Sequence, residues 1–260
     1  MKSGIQTIFT IARNTFRESV RDRILYNLVL FVLLITGAAI FLGELTGGKE
    51  ARTIVNFGLS AMLLFGAFIA IFVGVALVSK EIEKRTVYAI FSKPVRRGEF
   101  IVGKYLGLCL TLLVNVLVMG GGVSLALLYV GDAQLAASIW GAIYLIYLEL
   151  AILTAIATLF SSFSSPALSA LLTFFIFIIG HFSASLRDFA QNLDSSAAKM
   201  FFEILYYFLP NLSFFSFITN TANNGFPPTA TLGGAFLYAI VYISILLVAA
   251  VMIFSRRNFK

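Results

Sequence analysis

Six long runs of apolar residues, each nearly free of charge, constrain this chain more than any other feature. The runs cover residues 24–43, 54–78, 105–130, 136–160, 167–186 and 232–254. A helix needs roughly 20 apolar residues to cross about 30 Å of hydrocarbon, and every run reaches that length. A membrane-spanning β-barrel would instead show short segments of alternating polarity. The sequence therefore predicts an all-α membrane protein with six transmembrane helices.

The composition agrees with this prediction, because 60% of the 260 residues are hydrophobic and only 12% are charged. Soluble domains carry about a quarter charged residues. We predict one membrane domain, residues 1–260, with no room for a sizeable soluble domain. The single cysteine, Cys109, lies inside an apolar run, so neither a disulfide framework nor a cysteine-based metal cluster is expected.

The basic residues are distributed unevenly between the two sides of the predicted bundle. If both termini lie in the cytoplasm, 15 of the 19 Lys and Arg residues fall on the cytoplasmic side. The four left outside are Lys49, Arg52, Arg187 and Lys199. An excess of Lys and Arg in cytoplasmic loops sets the orientation of membrane proteins. The sequence therefore predicts cytoplasmic termini, and the net charge of +7 is explained by topology and contact with membrane lipids rather than by nucleic acid.

Residues 1–23 precede the first run and show helical periodicity. One side of this helix carries Ile5, Ile8, Phe9, Ala12, Phe16 and Val20. The opposite side carries Gln6, Arg13, Asn14, Arg17 and Arg21. This pattern predicts an amphipathic helix that lies on the inner membrane surface.

Residues 187–231 form the longest segment between two runs. Residues 200–218 within it are apolar enough to suggest a seventh span, but that span would move three C-terminal basic residues outside and would contain Glu203 and Pro210. We predict an outer-face segment that re-enters the membrane or lies on it, as two short helices broken at Pro210. An ordinary interfacial loop with tyrosine anchors is the alternative.

Residues 79–98 connect the second and third runs and combine charged clusters with a short apolar stretch. Residues 86–91 form that stretch, and Ser92-Lys93-Pro94 ends it, which indicates a short helix. Its apolar side chains are Val87, Tyr88, Ile90 and Phe91. Exposed apolar groups in a cytoplasmic loop favour a protein partner, although a helix tucked under its own bundle would use them as well.

Three motifs in and after this segment resemble the permease subunits of ABC-2-type ATP-binding cassette transporters, in the NosY-like or multicopper-enzyme-maturation branch. They are Glu81-Ile-Glu83-Lys-Arg-Thr86, Ser92-Lys-Pro94-Val-Arg-Arg97 and Gly103-Lys104-Tyr-Leu-Gly107. They match the family's cytoplasmic coupling helix and the start of its third span. The order of an amphipathic helix, six spans and a long outer segment also resembles the family along nearly the whole chain.

The resemblance implies a non-catalytic half-transporter that forms a homodimer and docks a separate cytoplasmic ATPase subunit on each copy, in an exporter-like fold of the ABC-2 or type V kind. The implied docking residues are Glu81, Glu83, Arg85, Thr86, Val87, Tyr88, Ile90 and Phe91. Secondary contacts are implied for Arg13, Arg17, Arg21, Ser162 and Ser164. ATP and Mg²⁺ would be bound by the partner, and this chain is expected to bind no cofactor.

One glycine-rich stretch, residues 43–50, nearly matches a phosphate-binding loop. That loop needs Ser or Thr after its Lys to hold magnesium, but Glu50 follows Lys49 here. The stretch also falls on the predicted outer side. We therefore expect no ATP site in this chain.

The polar residues inside the predicted spans include Glu149, His181, Asn56 and Asn115. An ionised carboxylate in the membrane costs at least a few kcal/mol unless it is paired or hydrated, so Glu149 is expected to face the bundle interior. Its role is either a gate or proton-linked element, or a structural brace between helices that is protonated or hydrogen-bonded. His181 is expected to make a local hydrogen bond rather than bind metal, and the two asparagines to make hydrogen bonds between helices.

Three other functions remain open on the residues alone. A self-contained secondary carrier would use Glu149 as a coupling-ion site and would show two related halves, but the sequence shows no internal repeat of that kind. A membrane anchor or assembly subunit without transport fits the scarcity of intramembrane polar groups. An intramembrane enzyme is the weakest alternative, because one His, one Cys and one buried carboxylate make no catalytic set.

Overall fold

The computed structural model describes residues 4–21, 50–83, 96–183, 199–200, 209–223 and 225–256, with eight further residues between 27 and 41. Its helices are α1 (Gly4–Ser19), α2 (Glu50–Glu83), α3 (Arg97–Tyr129), α4 (Ala133–Ser161), α5 (Pro166–His181), a 3₁₀ helix (Leu212–Phe215), α6 (Ile218–Ala222) and α7 (Thr229–Arg256). This part of the chain contains no strand. The predicted all-α class is confirmed.

Four of the helices, α2, α3, α4 and α7, are long and apolar enough to cross a membrane. The fifth predicted run, 167–186, corresponds to α5, whose 16 residues extend about 24 Å. The eight described residues between 27 and 41 are all helical and fall within the first predicted run. The structure therefore agrees with a multi-pass membrane protein, and the count of six spans stays a prediction.

Local sequence signals set the boundaries of these helices. Gly131 has φ +90° at the end of α3, and the next residue, Asp132, caps α4 by accepting a hydrogen bond from the Leu135 amide at 2.9 Å. Pro166 occupies the first turn of α5, where the missing amide hydrogen costs nothing. These two turns join α3, α4 and α5 into an antiparallel series.

The core forms around α4, whose side chains are buried along most of its length. One side of α4 packs on α2 and α3, and another packs on α7 and the 3₁₀ helix. Small residues let these helices approach closely: Gly66 lies against Leu150, and a Cβ on Gly120 would come within 2.7 Å of Ile143. Gly74 likewise faces Ala157, so glycines at three positions of α2 and α3 allow close contacts between helices.

The chain after Pro210 packs into the bundle. Leu212 and Phe215 of the 3₁₀ helix are fully buried against α4 and α7, and α6 contacts α2 and α4. The Asn211 side-chain oxygen accepts hydrogen bonds from the hydroxyls of Ser183 and Ser213. Two short helices therefore do occur here, but both follow Pro210. The predicted helix before Pro210 falls mainly on 201–208, which lie outside the described residues.

Candidate functional site

The end of the bundle at which α2 stops and α3 begins carries the predicted docking segment. The 34 residues of α2 and the 33 residues of α3 each extend about 50 Å, well beyond about 30 Å of hydrocarbon. The backbone of Glu81 and Glu83 lies in the last turns of α2, so the second span and the start of the 79–98 segment form one continuous helix. The other predicted docking residues, Arg85, Thr86, Val87, Tyr88, Ile90 and Phe91, lie outside the described residues.

The α1 helix packs along the first turns of α3, beside this segment. A Cβ on Gly103 would lie 2.8 Å from the Ile11 side chain, and one on Gly107 would lie 2.6 Å from the Ala12 carbonyl oxygen. Gly4 sits beside Glu99 at the start of the same contact. The two helices therefore run parallel, and the glycines of the Gly103–Gly107 motif let their backbones touch.

Because α1 packs on α3, only some of the apolar residues on its predicted apolar side are covered. Thr15 and Ser19 are buried, and Ile8 and Ile11 reach α3 beside Gly103. By contrast, Ile5 and Phe9 are 80% and 70% exposed. The sequence predicted a single apolar side against the membrane, whereas the helix has one face on α3 and a separate exposed apolar strip.

The basic side of α1 is exposed, as an amphipathic helix requires. Arg13, Arg17 and Arg21 all lie on the surface, and a groove of about 740 Å³ runs beside Asn14, Arg17, Glu18 and Arg21. The Glu18 carboxylate is 3.5 Å from the Lys104 ammonium, whose side chain is almost fully buried on α3. This ion pair reinforces the α1–α3 contact.

Polar and aromatic contacts tie α7 to the same end of the bundle. The Arg97 guanidinium donates hydrogen bonds to the carbonyls of Ser255 at 2.7 Å and Phe254 at 3.3 Å, which caps the C-terminal turn of α7. The Phe100 and Phe254 rings stack with centroids 6.0 Å apart. Helices α1 and α7 therefore both contact α3 at the end of the bundle where α3 begins.

The turn between α4 and α5 lies at this same end and contains two of the predicted secondary contacts, Ser162 and Ser164. Ser162 is fully buried, and its hydroxyl donates to the Leu159 carbonyl at 2.6 Å. The Ser164 hydroxyl lies 2.6 Å from that of Ser169, while Phe163 is 48% exposed. Ser162 is therefore turned inward to satisfy the end of α4, whereas Phe163 lies on the surface of the turn.

The predicted intramembrane polar residues Glu149, His181, Asn115 and Asn56 take three different environments. Glu149 is fully buried, as predicted, and its Oε1 lies 3.4 Å from Nε2 of His181 at the end of α5. Asn115 is also buried, but its side chain makes no hydrogen bond to any described residue. Asn56 was expected to bridge helices and is instead exposed on α2, because α2 turns that side away from the bundle.

Sequence reasoning missed the pairing of Glu149 with His181. The signal was present, since both residues lie at similar distances from the α4–α5 turn and antiparallel helices bring such positions together. Within the described part of the chain, no three His, Cys, Asp or Glu residues gather to hold a metal ion.

Four described helices that are long and apolar enough to cross a membrane, packed around α4, agree with the class of multi-pass membrane proteins. The sequence matches the ABC-2 family transporter proteins over residues 9–259, and the chain belongs to that family. It is 29% identical over 185 residues to the probable ABC transporter permease protein NosY of Pseudomonas aeruginosa, with 66% of this chain and 67% of that protein covered. The family predicted from the three motifs is confirmed.

Proposed function

We propose that this chain is the transmembrane half of an ATP-driven exporter and couples ATP hydrolysis by a separate cytoplasmic ATPase subunit to substrate movement. Its membership of the ABC-2 transporter family carries this proposal. The ATPase subunit supplies the sites for ATP and Mg²⁺, and the permease supplies the path through the membrane. A bacterial inner membrane with both termini in the cytoplasm fits the distribution of basic residues.

The coupling segment, residues 79–98, docks into the ATPase subunit. Its central apolar residues Val87, Tyr88, Ile90 and Phe91 fill an apolar cleft on the partner, and Glu81, Glu83, Arg85 and Thr86 line the rim. The geometry of the helices that flank it supports this assignment. Because α2 and α3 are continuous helices, displacement of the segment by nucleotide-driven closure would move both spans.

The α1 helix provides a second path for the same force. Arg13, Arg17 and Arg21 are exposed beside the coupling segment's flanking helix and meet acidic groups of the ATPase. The packing of α1 on Gly103 and Gly107 would transmit that contact to α3. Phe163 and Ser164 in the α4–α5 turn add a smaller contact.

Two copies of the chain form the complete transport path, with one ATPase subunit docked on each. The exposed side of α2 is a suitable dimer face, since it places Asn56 among the exposed apolar residues Phe57, Leu64 and Phe68. A side-chain amide that faces lipid lacks hydrogen-bond partners, whereas a second copy can supply them.

Purification of the full-length chain from its native host in mild detergent tests the proposed assembly. An ATP-binding subunit should co-purify, and native mass spectrometry should give two permeases with two ATPases. Recovery of the permease without any ATPase, together with ion-driven uptake into vesicles, would replace this proposal with a secondary carrier.

A further inference from the structure

A carboxyl group and an imidazole ring meet in the interior of the bundle, away from the coupling segment. Glu149 lies near the middle of α4 and is fully buried, and its Oε1 lies 3.4 Å from His181 Nε2. Neither carboxyl oxygen of Glu149 nor Nε2 of His181 has a hydrogen-bond partner elsewhere in the described chain. Among the described residues, the Glu149 carboxyl group and His181 Nε2 therefore have only each other as a polar contact.

The second ring nitrogen fixes the position of one hydrogen of this pair. His181 Nδ1 lies 3.2 Å from the Phe177 carbonyl oxygen, which can only accept a hydrogen bond. Nδ1 must therefore carry a hydrogen. In a neutral imidazole Nε2 is then the acceptor, and it needs a donor from Glu149.

The surroundings decide between a neutral pair and an ion pair. A charged carboxylate and imidazolium would need further hydrogen bonds to offset the loss of their hydration, and the described residues provide none for the carboxylate. Apolar side chains surround this part of α4, including Leu148, Leu150 and Ile152. The neutral arrangement, a carboxylic acid donating to an imidazole, avoids two buried charges.

We propose that Glu149 and His181 form a buried proton-binding site, in which one proton carried by Glu149 points at His181 Nε2 and ties α4 to the end of α5. The contact at 3.4 Å becomes a hydrogen bond with a small rotation of the carboxyl group. Just beyond His181, the Ser183 hydroxyl donates to Asn211 at 2.7 Å. The proton site therefore lies next to the contact between the end of α5 and the 209–218 segment.

Infrared difference spectroscopy of the full chain in lipid nanodiscs tests where the proton is. The wild-type spectrum minus that of Glu149→Gln should show the carbonyl stretch of a protonated carboxyl group. The band should shift in His181→Phe, because the acid loses its acceptor while the ring beside Phe177 is kept. Glu50→Gln, at the far end of α2, should leave the band unchanged.

A double-mutant cycle tests the bond between the two helices. His181→Phe leaves a lone buried acid, so we expect its unfolding equilibrium constant in detergent to rise roughly tenfold. Adding Glu149→Leu to that variant should recover most of the lost stability, since neither buried polar group is then left without a partner. Three results would each overturn the proposal. The first is a spectrum without a protonated-carboxyl band from Glu149, and the second is a band whose frequency His181→Phe does not change. The third is a cycle in which the losses of stability from the two substitutions simply add. None of these measurements depends on an ATPase partner.

Discussion

At the scale of single residues, Glu149 is the most consequential polar group in the bundle. A buried carboxyl group can serve as a structural donor or as a site that gains and loses a proton during transport. A structural donor can be replaced by an amide, whereas a coupling site cannot. The two functions therefore predict different results for one substitution.

We predict that Glu149→Gln leaves assembly intact and keeps ATP-dependent transport within a few-fold of wild type. The glutamine amide can donate a hydrogen bond to His181 Nε2 in place of the carboxylic acid. Transport into inverted vesicles and the yield of the purified complex are the measurements, with Glu149→Leu as the matched variant that lacks a donor. Complete loss of transport in Glu149→Gln at normal expression would indicate that Glu149 is a coupling-ion site. That result would favour the secondary-carrier alternative.

The sequence could predict that Glu149 is buried but not what it meets. A charged group in hydrocarbon costs free energy, so a glutamate inside a span is expected to face the bundle interior rather than lipid. Its partner depends on how α4 and α5 are aligned, which the sequence does not state. The exposed position of Asn56 could not be predicted from the sequence either. Every face of a membrane helix is apolar, so hydrophobic periodicity does not reveal which face points inward.

At the scale of helices, the contact between α1 and α3 is the feature that most shapes the proposed docking end. The sequence predicted that residues 1–23 form an amphipathic helix, and the structure has α1 over Gly4–Ser19 with Arg13 and Arg17 exposed. The sequence did not predict that Thr15 and Ser19 would be buried against α3. Small polar residues on a helix that the sequence assigns to the membrane surface give no sign of tight packing on a second helix.

We predict that Gly107→Ala destabilises the protein and that Gly121→Ala does not. A Cβ at position 107 would lie 2.6 Å from both the Ala12 carbonyl oxygen and the Thr15 Cβ, so the helices would have to separate. Overpacking of this kind costs about 1–3 kcal/mol. At position 121, on the same helix, nothing lies within 4 Å of the added carbon. Thermal stability measured by size-exclusion chromatography after heating should fall only for Gly107→Ala, and equal stability of the two variants would contradict the α1–α3 packing.

At the scale of the whole molecule, the sequence predicted the class of fold and the family, because long uncharged runs have few structural solutions in a membrane. The run lengths did not predict the short α5 or the burial of the chain after Pro210. Leu212 and Phe215 are apolar residues in a segment too short to span, and their burial depends on space left between α4, α5 and α7.

We predict six spans with both termini in the cytoplasm. Single cysteines at Ser3, Lys93 and Ser255 should react with an impermeant thiol reagent only from the cytoplasmic side, and those at Lys49, Asp132 and Asp194 only from outside. The native Cys109 is buried, so it should add little background. Labelling of the Ser255 position from outside would require a seventh span.

Docking of an ATPase subunit on residues 79–98 is the central claim, and the Val87→Asp, Phe91→Asp double variant tests it most directly. Two carboxylates in an apolar interface centre should lower retention of the ATPase subunit by tenfold or more, since a hot-spot residue contributes about 2 kcal/mol or more. The Val87→Leu, Phe91→Leu variant keeps the apolar surface and should retain the partner. Retention is measured as the ATPase recovered per permease after extraction in mild detergent, alongside ATP hydrolysis in reconstituted vesicles. Normal retention and hydrolysis by the Asp variant would show that the ATPase docks elsewhere.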